Sequence, residues 1–244
     1  MMIPRMPTLM IPGLLCSPRL FEAQLPVFWQ NGPVMVANAT QAEDIEAQAR
    51  LILAEAPPSF RLVGLSMGGY LAFEILRQAP ERVKELVLMD TSARPDTPEG
   101  RERRLTMIRL AEQGGFDRLP PLLYPNLVDA SRAEDRTLEA VVQGMAFAVG
   151  PEAFIRQQKV IMSRPDSRPD LAGIRCRTLV VVGAGDVLTP PEMAAEMADN
   201  MPNADMVMLD ACGHLSPLEQ PARVNELLGH WVNHTGPFGA DVPA

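Results

Sequence analysis

The segment GLSMGG, residues 64–69, places one serine between glycines at the end of a strand-like run. RLVG at 61–64 has the character of a strand, and YLAFEILRQA at 70–79 has the pattern of a helix. Because glycine lacks a Cβ atom, Gly64 and Gly68 let the backbone make a crowded turn from strand to helix. The segment therefore predicts a sharp turn from a strand to a helix, with the Ser66 hydroxyl exposed where the strand ends.

Short aliphatic runs elsewhere predict further strands, and most are nearly continuous in apolar residues, as expected for strands covered on both faces. The predicted strands are Thr8–Ile11, Val34–Val36, 61–64, 86–89, 178–182 and 206–209. Helical patterns lie between them at 43–56, 67–79, 190–200 and 218–231, and TPPE at 189–192 is a capping box with Thr189 as the cap. This alternation predicts an α/β fold, a mainly parallel sheet with helices on both faces.

One interval is too long to be a simple connection between strands. Residues 92–172 comprise 81 positions, whereas a crossover needs about a dozen or more. Its content is helical: one apolar face runs through residues 138–149, and weaker helical patterns lie at 101–113 and 152–162. We predict a core made of residues 1–91 and 173–244, with an inserted helical cap at 92–172. The final residues, 235–244, are predicted to fray.

Composition limits the classes of partner. The chain has 244 residues, 47% of them apolar, which suffices for one large domain or two small ones, and we expect one domain with an insertion. Its formal net charge is −8. No run of Lys or Arg is long enough to neutralise a row of phosphates. We therefore expect neither nucleic acid nor a membrane surface as a partner.

Targeting signals and cysteine usage favour the cytoplasm. Pro4, Pro7 and Pro12 interrupt the apolar N-terminal run, which predicts a strand rather than a signal peptide. No segment has the roughly 18 uninterrupted apolar residues of a membrane helix. The three cysteines are far apart, with no CxxC spacing and no neighbouring histidine pair, which predicts reduced thiols and no zinc. We expect a soluble cytoplasmic protein without a metal.

A serine hydroxyl is a poor nucleophile near neutral pH and needs a base. Of the three histidines, His230 lies on the polar face of the last predicted helix and His234 lies next to the predicted frayed tail. His214, in DACGHLSPLEQP, follows the strand 206–209 on a loop that contains glycine, where the mouth of a parallel sheet is expected. His214 is therefore the predicted base.

The base needs a carboxylate to orient it and to stabilise its charged form. Asp186, in VVVGAGDVLTPP, follows a predicted strand on a glycine-flanked turn that exposes its side chain. Asp90 ends the strand before the cap and is the alternative, since it can reach the same histidine or cap the first turn of the cap. Asp210 is closer to His214 in sequence, but it marks a strand end. Asp186 is preferred, and Asp90 stays open.

These segments resemble the α/β-hydrolases, specifically the capped esterases and enol-lactonase-like members. The resemblance covers nearly the whole chain and rests on GLSMGG, GAGDVLTPP at 183–191, CGHLSPLEQP at 212–221 and MIPGLLCSP at 10–18. It implies Ser66 as nucleophile, His214 as general base and acid, and Asp186 as the partner that orients His214. Serine at position 66 separates the chain from the dehalogenases and epoxide hydrolases, which attack with Asp.

The resemblance also implies an oxyanion hole made of two backbone N–H groups, one from Met67 and one from the loop after the first strand. That loop often reads His-Gly-x in relatives, and here it reads Pro12, Gly13, Leu14. The corresponding donor is the Leu14 N–H, which the change at Pro12 does not remove because the donor belongs to the main chain. No cofactor is implied.

The resulting prediction is hydrolysis of a carboxylic ester or lactone through an acyl-enzyme on Ser66. Three alternatives remain: hydrolysis of a carbon–carbon bond, acyl transfer to a thiol or alcohol, and a receptor that barely turns over its ligand. The fifteen methionines and the apolar stripe of the cap suit a small apolar acyl substrate, although Met at helical spacing more often fills a core. The sequence does not specify the oligomeric state.

Overall fold

The computed structural model describes residues 5–233, so His234 and the tail predicted to fray lie outside the described part. The strands are β1 Thr8–Ile11, β2 Val34–Val36, β3 Phe60–Leu65, β4 Val83–Met89, β5 Arg177–Gly183 and β6 Ala204–Leu209. The α-helices are α1 Leu25–Trp29, α2 Ile45–Glu55, α3 Met67–Gln78, α4 Pro98–Leu110, α5 Leu119–Leu123, α6 Arg136–Ser163, α7 Pro191–Asn200, α8 Ser216–Glu219 and α9 Pro221–Asn233.

The strands form one parallel sheet in the order β2-β1-β3-β4-β5-β6. The chain adds β2 on one side of β1 and then builds β3 to β6 on the other side. The direction of winding therefore reverses between β1 and β3, and the loops that leave their carboxyl ends diverge. In sheets of this kind ligands bind in the crevice at that point. In this chain the loop after β1 and residue 66, at the end of β3, flank that crevice.

Alternate side chains of the central strands point to opposite faces, and both faces are buried. Leu62 of β3 and Leu88 of β4 belong to one core cluster, together with side chains of α2, α3 and α7. Val63 and Val87 belong to a second cluster with α1 and α9, in which Trp231 is fully buried. The predicted α/β class, with a parallel sheet covered on both faces, is confirmed.

Several predicted boundaries need correction. The strands begin one to three residues earlier than the apolar runs suggested from β3 onward, and α4 begins at Pro98. The last predicted helix is two helices, because Pro221 has no N–H to continue the first and starts α9 instead. The capping box at Thr189 is wrong: Pro190 precedes α7 without a side-chain cap, and the Thr189 hydroxyl bonds to Asp186.

Helices α4, α5 and α6 lie between β4 and β5, within the interval predicted to be helical. Over an 18-residue window α6 has a mean hydropathy of 1.3 and 33% of that window is buried, so by length and composition it could cross a membrane. Gly150, at φ 80° and ψ 170°, interrupts its helical path just before Pro151. The halves 136–149 and 151–163 are each shorter than the roughly 20 residues of a membrane span.

Helix α3 approaches the end of β1 so closely that only glycine fits at the contact. A Cβ atom on Gly68 would lie 2.0 Å from the carbonyl oxygen of Ile11. By contrast, a Cβ atom on Gly144, inside α6, would have its nearest neighbour at 3.9 Å, the end of the Arg19 side chain. The two positions therefore form a matched pair for measuring the cost of this contact.

We expect Gly68→Ala to lower the free energy of unfolding by about 2–3 kcal/mol, because backbone atoms of β1 must move to admit the methyl group. Gly144→Ala should raise it by about 0.5–1 kcal/mol, since alanine loses less backbone entropy in a helix. Urea denaturation followed by far-ultraviolet circular dichroism measures both. Equal effects of the two substitutions would contradict the close packing of α3 on β1.

Candidate active site

Ser66 occupies the sharp turn between β3 and α3. Its backbone, at φ 53° and ψ −115°, has a conformation that residues with a side chain rarely adopt. A Cβ atom on Gly64 would lie 2.4 Å from the Gly68 carbonyl oxygen, so the turn also requires glycine there. The Ser66 N–H donates to Met89 O at 3.0 Å, and the Thr91 hydroxyl donates to Ser66 O at 2.8 Å. These bonds hold the strained turn in place.

His214 lies in the loop after β6 and contacts the serine. Its Nε2 atom is 2.8 Å from Ser66 Oγ, and its Nδ1 atom is 2.8 Å from Asp186 Oδ2. Because a carboxylate only accepts hydrogen bonds, Nδ1 carries the proton in the neutral ring and Nε2 is left to accept the Ser66 proton. The structure thus brings together three residues that are 120 and 28 positions apart in the sequence.

Asp186 follows β5 and is almost fully buried. Its Oδ1 accepts the N–H groups of Leu188 at 2.9 Å and Thr189 at 3.0 Å, and the Thr189 hydroxyl donates to Oδ2 at 2.8 Å. Burial raises the pKa of the Asp186 carboxyl, but His214 and these donors outweigh burial and hold that pKa below its usual value. Asp186 is therefore an anion at neutral pH, poised against the imidazole.

Asp90, the alternative acid, follows β4 and bonds elsewhere. Its Oδ1 accepts the Gly183 N–H at 3.0 Å, and its Oδ2 accepts the Ser216 hydroxyl at 2.5 Å. Within residues 5–233 no hydrogen bond joins Asp90 to His214. Burial and the neighbouring charge of Asp186 raise the pKa of Asp90 to about 7. The structure thus brings Asp186, rather than Asp90, into contact with His214.

His214 lies among several carboxyl groups. Burial of the ring lowers the pKa of His214, but Asp186, Asp90 and Glu219 together outweigh burial and raise that pKa above its ordinary value. The hydrogen bond to Asp186 acts in the same direction. The imidazolium that forms when His214 takes a proton is therefore stabilised by this surrounding negative charge.

Two supporting residues were not identified from the sequence. Glu219 accepts the N–H groups of Gly213 at 3.0 Å and Leu215 at 3.2 Å, and so fixes the loop on both sides of His214. Its second oxygen accepts the Asp129 N–H at 2.7 Å from the segment after α5. The second supporting residue is Thr189, whose hydroxyl donates to Asp186. The sequence pattern TPPE had indicated a helix cap at Thr189 instead. For Glu219 the available signal was a carboxylate five residues after the histidine, in the segment 212–221 that follows the strand.

Of the two predicted oxyanion donors, Met67 is next to Ser66 in the chain, and Leu14 lines the same cavity as Ser66. Met67 begins α3, where the N–H groups have no partner within the helix and carry its partial positive charge. Leu14 follows Gly13, on which a Cβ atom would lie 3.3 Å from Ser66 Cβ. Among the described residues neither the Met67 N–H nor the Leu14 N–H donates a hydrogen bond. Both groups are thus available to a bound oxygen atom.

Ser66 and His214 line a cavity of about 830 Å³ that α4 and α6 help to enclose. Its apolar lining includes Leu14, Leu15, Leu65, Met107, Leu123, Val142, Ala146 and Ile161. Cys16 also lines the cavity, but burial raises the pKa of its thiol to about 12, so the thiol stays protonated and is a weak nucleophile. Within residues 5–233 no group of His, Cys, Asp and Glu side chains is placed to hold a metal ion.

Several charged side chains of the cavity wall form ion pairs. Arg94 donates to Glu196 at 2.8 Å, and Asp96 accepts from Arg104 at 2.9 Å and from Arg164 at 3.4 Å. Arg164 lies over the ring of Tyr70 at 4.2 Å from its centroid. The Asp96–Arg164 pair links the segment before α4 to the residue that follows α6, and the Arg94–Glu196 pair links the same segment to α7.

Comparison with known proteins agrees with this architecture. A family model described as "Alpha/beta hydrolase family" matches residues 24–227. A Mycobacterium tuberculosis protein that carries the name of a non-heme bromoperoxidase is 32% identical over 180 residues. That alignment covers 68% of this chain and 64% of the relative, so this chain spans slightly less than two thirds of the relative's length.

Two solved structures are similar over most of their length. A thermophilic esterase from Thermogutta terrifontis has a TM-score of 0.83 at 29% identity, covering 93% of this chain and 89% of the esterase. The enol-lactonase from Burkholderia xenovorans LB400 has a TM-score of 0.84 at 19% identity, covering 93% and 91%, which is a likeness of fold. With its parallel sheet, its serine turn and a family match over residues 24–227, this chain belongs to the α/β-hydrolase family.

Proposed function

We propose that this chain is a serine hydrolase that cleaves a carboxylic ester or lactone through an acyl-enzyme on Ser66. The observation that carries the proposal is the pair of 2.8 Å contacts that link Ser66 Oγ to His214 and His214 to Asp186 at the wall of a cavity. An imidazole in contact with a serine hydroxyl removes its proton as the oxygen attacks a carbonyl carbon, and a buried carboxylate stabilises the resulting imidazolium.

In the first half-reaction Ser66 Oγ bonds to the carbonyl carbon and its proton passes to His214 Nε2. The carbonyl electron pair moves to oxygen, and the N–H groups of Met67 and Leu14 donate to the oxyanion. Collapse of this intermediate breaks the bond to the alcohol, which leaves with the proton from His214. Water then gives a proton to His214 and attacks the acyl group, and Ser66 regains a proton as the acid departs.

The substrate we propose is a small molecule with an apolar acyl group, since aliphatic side chains form much of the cavity wall. In this proposal residues 92–172 are the cap, between core parts 1–91 and 173–244, and α4 and α6 supply Met107, Val142, Ala146 and Ile161 to the wall. The cytoplasmic location and the absence of nucleic-acid, membrane, metal and cofactor partners belong to the same proposal and rest on the sequence.

Incubation with p-nitrophenyl esters of graded chain length tests the function. We expect multiple turnovers, and we expect Ser66→Ala to reduce kcat by about 10⁶-fold because the nucleophile is removed. Release of p-nitrophenolate at 405 nm measures both. A stoichiometric burst without turnover would favour a receptor, and activity only with an added thiol or alcohol would favour a transferase. Full activity of Ser66→Ala would contradict the proposal.

The two buried aspartates give a matched comparison. Asp186→Asn should lower kcat by about 10⁴-fold, because an amide at this position favours the wrong tautomer of His214. Asp90→Asn should lower kcat by less than about tenfold, since its oxygens bond to Gly183 and Ser216 rather than to the histidine. Steady-state kinetics on one ester measures both, with circular dichroism as the folding control. The reverse order of effects would assign the role to Asp90.

The raised pKa of His214 sets the pH dependence. His214 acts as a base only when neutral, so kcat/KM should fall as the pH drops through its pKa, with a midpoint above about 6.5. Asp90 helps to raise this pKa, so Asp90→Asn should move the midpoint to lower pH. Profiles of kcat/KM between about pH 5 and 9 at constant ionic strength test this. If the midpoint of Asp90→Asn were unchanged or higher, this would contradict the conclusion that Asp90 raises the pKa of His214.

A further inference from the structure

The loop after β1 closes into an unusual four-residue turn. The Cys16 N–H donates to Gly13 O at 3.1 Å, and of the two central residues only Leu15 has a positive φ, at 59°. This is the pattern of a type II turn, whose third position normally holds glycine because a side chain is strained there. Leu15 therefore adopts a conformation that its own backbone disfavours, and its surroundings must maintain it.

Type I and type II turns differ by rotation of the peptide between the two central residues. In the type I form Leu15 would have an ordinary negative φ. Both ends of this peptide are held here: the Leu15 N–H donates to Gln157 Oε1 at 3.0 Å, and the Cys16 thiol donates weakly to Leu14 O at 3.5 Å. The stronger of these restraints is the amide of Gln157.

Gln157 reaches the turn from α6, 142 residues away in the sequence. Its side chain is fully buried, and its Nε2 donates to Ala39 O at 3.2 Å, so the amide is fixed on both sides. The Leu15 side chain packs in the same region, in a cluster with Phe116, Leu119 and Phe154. The segment between β4 and β5 thus holds the turn by its backbone and by its side chain.

We propose that Gln157 is a positioning residue for the oxyanion donor of Leu14. By accepting the Leu15 N–H, Gln157 keeps the turn 13–16 in its type II form, with Leu15 at positive φ. This keeps Gly13 packed against Ser66 and so keeps the neighbouring Leu14 N–H close to Ser66. Without this acceptor the Leu14–Leu15 peptide rotates and Leu15 relaxes to negative φ. The rotation leaves φ of Leu14 unchanged, so the Leu14 N–H moves only as the relaxed turn 13–16 shifts its packing against Ser66. The inference rests on the proposed serine-hydrolase function.

Gln48 offers a matched control. Gln48 is also fully buried, and its Oε1 accepts the N–H groups of Gln41 and Ala42 at 2.9 Å each. Its Nε2 donates to Asn38 O at 3.0 Å, in the same 38–42 loop that Gln157 contacts through Ala39. Gln48 has no bond to the turn 13–16. Comparing Gln157→Met with Gln48→Met therefore separates the bond to Leu15 from the general cost of losing a buried amide.

With p-nitrophenyl acetate, Gln157→Met should lower kcat by about 10- to 100-fold and leave KM within about threefold, because part of the oxyanion stabilisation is lost. Gln48→Met should keep kcat within about threefold despite a similar fall in Tm. If Gln157→Met does not fold, Gln157→Asn and Gln48→Asn replace the pair, because one methylene less withdraws the amide from Leu15.

A trifluoromethyl ketone gives a readout that instability alone does not move. Ser66 Oγ adds to its carbonyl carbon, the Ser66 proton passes to His214, and the ketone oxygen becomes an oxyanion in the hole. Its inhibition constant should rise in Gln157→Met by the factor that kcat falls, while the constant for the matching alcohol stays unchanged. Equal rises for the ketone and the alcohol would overturn the inference.

Substitution at Leu15 completes the test. Glycine adopts positive φ without steric cost, so in a Leu15→Gly background Gln157→Met should lower kcat by less than about threefold. An undiminished effect in that background, or equal effects of Gln157→Met and Gln48→Met on kcat, would overturn the role of Gln157. Absence of ester turnover in the unaltered chain would instead overturn the proposed function, so the two failures are distinguishable.

Discussion

Parallel strand pairing is the constraint on which the site depends. In a parallel sheet every strand ends at the same edge, so residues far apart in the chain meet there. β1 is followed by Leu14, β3 by Ser66, β5 by Asp186 and β6 by His214. The strained turn at Ser66 exists because α3 must start at that edge and pack back on β1, an approach that Gly68 permits. Fold and proposed chemistry thus have the same origin.

Collecting carboxylates at one buried edge has an electrostatic cost, which the backbone offsets. Asp186 and Glu219 each accept two or more N–H bonds, and Asp90 accepts the Gly183 N–H together with the Ser216 hydroxyl. Buried charges are stable only when they are bonded or paired in this way. Asp186 stays ionised beside His214, whereas burial brings the pKa of Asp90 to about 7. The two neighbouring carboxyl groups therefore differ in protonation at neutral pH. This difference fits direct contact of Asp186 with His214 and a supporting role for Asp90.

Local pattern predicted the strands, the serine turn and the candidate residues Ser66, Asp186 and His214, because each depends on a few adjacent residues. Local pattern could not show which of Asp186 and Asp90 bonds to His214, because the two residues follow neighbouring strands. Only their side-chain hydrogen bonds distinguish them. Thr189 was misinterpreted as a cap because its hydroxyl bonds to Asp186 rather than to the helix that follows. Gln157 gave no signal at all, because its bond to Leu15 spans 142 residues and depends on how α6 packs. Side chains that act across long separations are visible only in three dimensions.

Reaction with diethyl p-nitrophenyl phosphate tests the activation of Ser66 most directly. The activated hydroxyl attacks phosphorus and releases p-nitrophenol, and this needs no match between the substrate and the cavity lining. Mass spectrometry should find one phosphoryl group per chain, on the peptide that contains Ser66, and His214→Gln should slow its formation by at least about 10³-fold. Labelling of a different side chain, or equally fast labelling of Ser66 in His214→Gln, would contradict the account.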